Sequence, residues 1–213
     1  MGHFSFLDTF IHEVDTALRT LCPPSQRTSA RSSPAESIPD AQLTAQEKKH
    51  VAGLMRVNHS GEVCAQALYQ GQGLTANLLH VKQQMAAAAA EEVDHLAWCE
   101  ERLEELAAAP SLLNPLWYTG SFILGALAGW AGDTLSLGFV AETEKQVSEH
   151  LHKHLEKLPP HDVRTQKILA QMQQDEAQHA QSAMQAGGVA LPFPITLFMR
   201  MVSKIMTKSS YHI

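Results

Sequence analysis

The chain has 213 residues, of which 45% are hydrophobic and 18% charged, enough for one domain with a real core. A formal net charge of −6 without any dense basic cluster excludes non-specific nucleic-acid binding. Three scattered cysteines, Cys22, Cys64 and Cys99, form no CxxC pair and read as thiols in a reducing compartment rather than a disulfide framework.

Abundant Ala, Leu, Gln and Glu, with few alternating β-branched stretches, predict an all-α fold. The opening MGHFSFLDTFIHEVD mixes acids with apolar residues and lacks a cationic leader segment, so it does not read as a signal peptide. Phe4, Leu7, Ile11, Val14, Leu18 and Leu21 form one amphipathic stripe over 1–22, with Ser5 as its cap. PPSQRTSARSSPAESIPD (23–40) has no periodicity and is expected to be a linker or disordered loop. The main domain, 41–213, begins with a helix from about Leu43 to Leu74. A second runs from about Ala76 to Ala109, a third from about Asp133 to Leu158 and a fourth from about Val163 to Ala186. Pro110 and Pro159-Pro160 stop helices, and Gly187-Gly188 suit a left-handed cap. Residues 106–132 carry no charge, and the apolar segment 192–213 carries Arg200, Lys204 and Lys208 four apart.

Apolar stripes predict which residues face the bundle interior. Met85, Ala89, Leu96, Cys99, Leu103 and Leu106 leave a gap filled by Glu92. Val140, Val147, Leu151, Leu155 and Leu158 leave one filled by Glu144. Ile168, Met172 and Ala183 run through Glu176 and His179, and Met55, Ala65 and Tyr69 through Asn58 and Glu62. Each of four helices therefore inserts a glutamate into an apolar face, and His95 and His179 follow two of these by one turn.

Buried, uncompensated carboxylates are costly, and four converging ones must take up protons or bind cations. Two divalent metals remove that cost and give the histidines a purpose. Iron and manganese both favour carboxylate oxygen with imidazole nitrogen, and E…ExxH…E…ExxH is the di-iron or di-manganese carboxylate pattern of four-helix bundles. The point midway between Glu144 and Glu176 is Pro160, and that between Glu62 and Glu92 is position 77, so both pairs sit level across a helical hairpin. The neighbouring Glu142 and Glu149 fall off the stripe. Singly, Glu62 would read as a surface residue and His95 or His179 as a hydrogen-bonded helix residue; the matched set of six points to metal. Glu91 and Asp175, each preceding an ExxH glutamate, are expected as outer acceptors for the histidine across the bundle, with solvated acids as the alternative. His150, His152, His154 and His161 lack ligand spacing and are expected to face solvent, with His150 a neighbour of the site.

The motifs RVNHSGEV (56–63), EEVDHL (91–96), GFVAETEKQV (138–147) and DEAQHA (175–180) resemble the bacterial demethoxyubiquinol hydroxylases of ubiquinone biosynthesis, over roughly 40–213. The resemblance implies a ferritin-like four-helix bundle with a long crossover and extra amphipathic helices. It implies two iron ions per chain held by Glu62, Glu92, His95, Glu144, Glu176 and His179, with Glu92 and Glu176 bridging. No catalytic residues beyond these ligands are expected. The implied activity is an O2-dependent monooxygenase that hydroxylates the ring of a polyprenylated 6-methoxy-3-methyl-1,4-benzoquinol. Its electrons would come from NADH or another reductant, the quinol included, and no dinucleotide-binding glycine fingerprint is present.

The stretch 111–132 is long enough to span a bilayer, which takes about 20 residues, and Gly125 and Gly129 form GxxxG. A span there would put the two halves of the metal site on opposite sides, so a crossover lying on the bundle is expected, with a buried helix or an oligomer contact as the alternative. With the basic, apolar C-terminal segment, this predicts a peripheral, monotopic protein at the cytoplasmic face of the cell membrane. Homo-oligomers and other ubiquinone-biosynthesis proteins are admissible partners. Two rivals share parts of the pattern: a ferritin-like iron-storage or peroxide-scavenging protein, and a metal-free helical scaffold.

Overall fold

The computed structural model describes residues 5–23 and 27–213; Phe4 and part of the Pro/Ser-rich stretch lie outside them. The described residues form seven helices and no strand: α1 (Phe6–Leu21), α2 (Ala45–Thr75), α3 (Leu79–Glu105), α4 (Asn114–Trp130), α5 (Asp133–Leu155), α6 (Val163–Gln185) and α7 (Phe193–Ser210). Helices α2, α3, α5 and α6 form an all-α bundle of two hairpins, α2 with α3 and α5 with α6, joined through the crossover helix α4. That is the ferritin-like arrangement the motifs predict.

Helix ends follow local chemistry. Ser5 and Thr44 each close a capping box, with Asp8 and Glu47 respectively. Helix α3 ends earlier than expected because Ala107 adopts a left-handed φ of 52° and the Ala108 amide donates to Leu103 O at 2.8 Å. It also starts later than expected. The Asn77 and Leu78 amides turn instead to Asp133, at 3.0 and 2.8 Å, which ties the α2–α3 turn to the start of α5. Gly187, with φ of 109°, terminates α6.

The predicted inner stripes are buried. Met55, Trp98, Cys99, Leu103, Leu151, Ile168 and Met172 share one core cluster, while Tyr69, Met85, Leu137, Val140 and Ala183 share another nearer the other end. At one end of the bundle, the wholly buried Arg102 donates to Asp162 Oδ1 at 3.1 Å and to Thr165 Oγ1 at 2.8 Å, linking α3 to the start of α6. His154, expected to face solvent, is buried and pairs its Nδ1 with Asn58 Oδ1 at 2.7 Å. Burial pushes its pKa down to about 3, so it packs as a neutral ring.

The crossover does not behave as a membrane span. No helix among the described residues is long and apolar enough to cross a bilayer. Its GxxxG faces α2, where a methyl group added at Gly125 would overlap the Leu68 backbone and one at Gly129 the Thr75 hydroxyl. Gly71 of α2 returns the contact, its missing Cβ leaving room for Phe122 O and Ala126 N. The outer face of α4 stays apolar and exposed at Leu116, Ile123, Leu127 and Trp130.

Residues 27–40 carry no helix, in keeping with their composition, yet they are not a free linker. Ala35 is wholly buried in the core, and Arg164 donates to its carbonyl at 3.0 Å. Arg27 pairs with Glu100 of α3 through two contacts, at 2.8 and 3.0 Å. The segment is a strap laid across α3 and α6.

The close approach of α2 and α4 predicts that Gly125→Ala lowers stability by about 1–3 kcal/mol, as overpacking does. Gly120→Ala, on the open face of α4, raises it by about 0.5–1 kcal/mol by removing backbone entropy. Denaturant midpoints of the two variants check the contrast; equal shifts would refute the α2–α4 contact.

Candidate metal centre

Four helices deliver four glutamates to one point. Glu62 comes from α2, Glu92 from α3, Glu144 from α5 and Glu176 from α6, and none is more than 2% exposed. Ligand atoms of Glu62, Glu92, His95 and Glu176 all lie within 4.8 Å of one another. His95 Nδ1 is 2.9 Å from Glu92 Oε2, 3.1 Å from Glu176 Oε1 and 3.6 Å from Glu62 Oε2. His179 Nδ1 is 3.2 Å from Glu92 Oε1 and 3.3 Å from Glu176 Oε2. Glu92 and Glu176 therefore each turn one oxygen toward His95 and the other toward His179. Glu144 joins through Tyr69, whose hydroxyl donates to its Oε1 at 2.5 Å. The neighbouring acids stay outside: Glu142 accepts from Gln146 on the same helix, and Glu149 is exposed.

Both histidines use their second ring nitrogen outside the cluster. His95 Nε2 lies 3.0 Å from Asp175 Oδ2, and His179 Nε2 lies 2.8 Å from Glu91 Oε2. In each case the acid belongs to the hairpin opposite the histidine. An N–H donated to these carboxylates fixes Nε2 as the donor, so that once a metal displaced the Nδ1 proton each ring would aim a lone pair at the cluster, the tautomer a metal-bound histidine needs. His150 makes no contact with the six residues and stands instead on the wall of an adjoining cavity.

Two supporting residues escaped the sequence. Tyr69 reads there as one more apolar member of the α2 stripe; its place seven residues after Glu62 on the same face was the available signal. Asp94 shows no helical register with the site, because its partners, the Ala30 amide and the Arg31 guanidinium, come from the strap.

The donor set fits divalent metal. Glu62 Oε1 and Glu144 Oε2 are buried with no hydrogen-bond partner, while Glu92 Oε1 and Glu176 Oε1 meet only a histidine Nδ1, at 3.2 and 3.1 Å, in poor hydrogen-bond geometry. Buried acceptors left without donors are rare and costly. Here they belong to a cluster of carboxylates with two imidazole nitrogens beside them, which is hard-oxygen and imidazole chemistry suited to a first-row cation.

Protons now carry the balance of charge. Burial, then the charge of Glu92, raises the Glu62 carboxyl well above its ordinary range; burial, then Glu176, does the same to Glu144. For His95, burial acts downward, but the charge of Glu92 and contacts with Asp175, Glu176 and Glu62 outweigh it and hold its pKa well above normal. His179 is likewise pushed up to about 12, against burial, by Glu176 and Glu92. Asp175 is lowered to about 2, against burial, by hydrogen bonds from His95, Gln171 and Arg31.

Metal must displace these protons. Raised pKa values in the metal-free fold mean that protons occupy the site at neutral pH, so uptake releases protons and apparent affinity rises with pH from about 6 to 8. Calorimetric titration in buffers of different ionisation enthalpy reads the released protons directly. Uptake without proton release would contradict the arrangement, and Glu92→Ala, which removes an oxygen facing each histidine, should abolish metal binding.

The family model described as ubiquinone biosynthesis protein COQ7 matches residues 49–210. A Legionella pneumophila (strain Corby) protein named 3-demethoxyubiquinol 3-hydroxylase is 66% identical over 209 residues, covering 98% of this chain and 98% of its own. Proteins of the same name from Acinetobacter baylyi and Acinetobacter baumannii are 58% and 55% identical over 213 residues, covering the whole of each chain. Similarity of that extent, over a bundle whose four helices converge on one buried carboxylate–histidine cluster, means that the chain belongs to the COQ7 family of ubiquinone biosynthesis proteins.

Proposed function

We propose that this chain is a di-iron monooxygenase that hydroxylates the ring of a polyprenylated demethoxyubiquinol. The observation that carries the reading is the buried cluster of Glu62, Glu92, His95, Glu144, Glu176 and His179, whose Glu62 lines an apolar cavity. The near-full-length likeness to proteins named 3-demethoxyubiquinol 3-hydroxylase supplies the substrate class. The six residues would hold two irons, and Glu92 and Glu176, each of which divides its oxygens between the two histidines, would serve both. When bound, the irons supply O2 activation, and the net change is a ring C–H converted to C–OH with one water formed from O2, two electrons and two protons.

The chain's own residues provide access, dryness and orientation. A cavity of about 320 Å3 lies among α2, α4, α5 and α7, and Glu62 is the cluster member on its wall. Its lining is apolar, with Leu68, Trp117, Phe139, Val147, Phe198 and Met206 prominent. Such a surface suits a quinol ring and the first part of a polyprenyl tail while excluding bulk water. Asn58, Thr143, Gln146 and His150 are among the polar groups on the same wall and are candidates to bond ring oxygens, with Ser121, Ser203 and Thr207 also lining it. Tyr69 holds Glu144 in place by donating a hydrogen bond, and burial together with Glu144 keeps its own proton on, since its pKa lies well above the ordinary phenol range.

The substrate's tail also accounts for the surface. Leu116, Ile123, Leu127 and Trp130 of α4 and Phe193, Phe198, Met201 and Ile205 of α7 are exposed apolar side chains on two helices that wall the cavity. Arg200, Lys204 and Lys208 add positive charge along α7. These features support attachment to a membrane surface, cytoplasmic in a bacterium, from which the quinol could enter without its tail crossing water. Neither an iron store nor a peroxide scavenger needs such a mouth.

Supplied with demethoxyubiquinol, a reductant and 18O2, the iron-loaded protein should place one labelled oxygen on the ring. Iron bound without ring label would reject the substrate assignment. Co-sedimentation with anionic vesicles tests the surface: replacing Phe198 and Ile205 by Asp should weaken it at least about 10-fold, given the lost burial of two large apolar side chains. Binding that is unchanged would place the membrane contact elsewhere.

A further inference from the structure

The strap closes the outer side of His95, and among the described residues nothing equivalent closes that of His179. Asp94 Oδ1 accepts from the Ala30 amide at 2.7 Å, and Arg31 Nε donates to Asp94 Oδ2 at 2.8 Å. Arg31 Nη1 donates at 2.9 Å to Asp175 Oδ2, the same oxygen that lies 3.0 Å from His95 Nε2. Gln171 holds the other Asp175 oxygen at 2.9 Å. The guanidinium also stands 4.9 Å from the Trp98 ring centroid, and Trp98 Nε1 donates to Arg31 O at 3.3 Å, so the arginine is fixed at its head and at its backbone. The counterpart acid Glu91 has a side chain 54% exposed and meets His179 alone among the described residues.

We propose that Arg31 is a positioning residue for the metal centre: it clamps Asp175 onto His95 and makes the two metal positions unequal, one rigidly supported and one free to adjust. Asp94 and Asp175 both lie within 2.9 Å of one guanidinium, so without that cation the two acids repel and Asp175 swings away from His95. A ligand histidine that loses its outer carboxylate loses its orientation and part of its basicity. Arg31 lies outside residues 49–210, so the clamp is an addition to the part of the chain that the family model covers. The inference rests on the reading that the six buried residues hold two metals.

Cobalt(II) titration of the full metal-free chain, followed by its visible d–d bands, tests the clamp. The unaltered protein should bind two ions. In Arg31→Met one of the two should bind about 10-fold to 100-fold more weakly, with altered bands, while the other is unchanged. Arg31→Lys, which keeps the charge but not the fork, should recover part of the loss, and Glu91→Gln should affect the other ion. If Arg31→Met is folded and both affinities and bands match the unaltered protein, the strap only packs and the proposal is overturned. If Arg31→Met does not fold, the uncharged but hydrogen-bonding Arg31→Gln is read by the same two outcomes. An unaltered chain that takes up no cobalt overturns the metal-centre reading itself, a result distinct from a silent Arg31.

Discussion

Four carboxylates meet inside an apolar bundle, and everything around them answers to that. Their mutual repulsion and the loss of hydration oppose folding by several kcal/mol per uncompensated ion. In the metal-free fold two histidines and retained protons offset this charge. The compensation is imperfect in geometry, because Glu62 Oε1 and Glu144 Oε2 stay buried without a donor. The site is thus able to form with its charge carried by protons, which a divalent cation can replace.

Such a site needs walls that do not yield. The Asp133 tie across the bundle fixes the α2–α3 turn, and Arg102 with Asp162 fixes the start of α6. Glycine contacts seat α4 directly on α2. The two hairpins are thereby held in register, so that glutamates thirty or more residues apart arrive at the same height. The hydrogen bond that Tyr69 donates to Glu144, and those that Asp175 and Glu91 accept from the two histidines, then orient individual ligands.

The centre has two unlike sides. Toward α2 and α5 lies the apolar cavity, bordered by Glu62. Toward α3 and α6 lies the strap, with Arg31 between Asp94 and Asp175. One side is left open for a large apolar molecule, and the other is locked by charge. The exposed apolar residues follow the same division, for α4 and α7 carry them beside the cavity. Helix α1 adds more: Leu7, Phe10, Ile11 and Leu18 are exposed, while Ala17 and Leu21 pack against the cluster of Val63, Ala67, Leu96 and Tyr118.

Sequence alone determined the bundle and the six inward residues, because both follow from helical period, whereas the pairing of Asp175 and Glu91 with the histidines came from the fold. A residue's face depends on its position within its own helix, and hairpin arms of equal length set the heights. The tertiary structure decided what period does not encode. Residues 27–40 have no repeat to read, and their burial depends on partners in α3 and α6 that are about 60 to 140 positions away. Asp94 and Arg31 could not be paired from either residue's surroundings in the chain. The stripe of α1 shows the converse limit: amphipathic periodicity predicted the helix, but only packing decided that much of its apolar face would remain uncovered. His154 is buried and bonded to Asn58 on another helix, which its histidine-rich neighbourhood did not foretell. Local pattern specifies which way a side chain points along its own helix; what stands opposite it is settled only when distant segments meet.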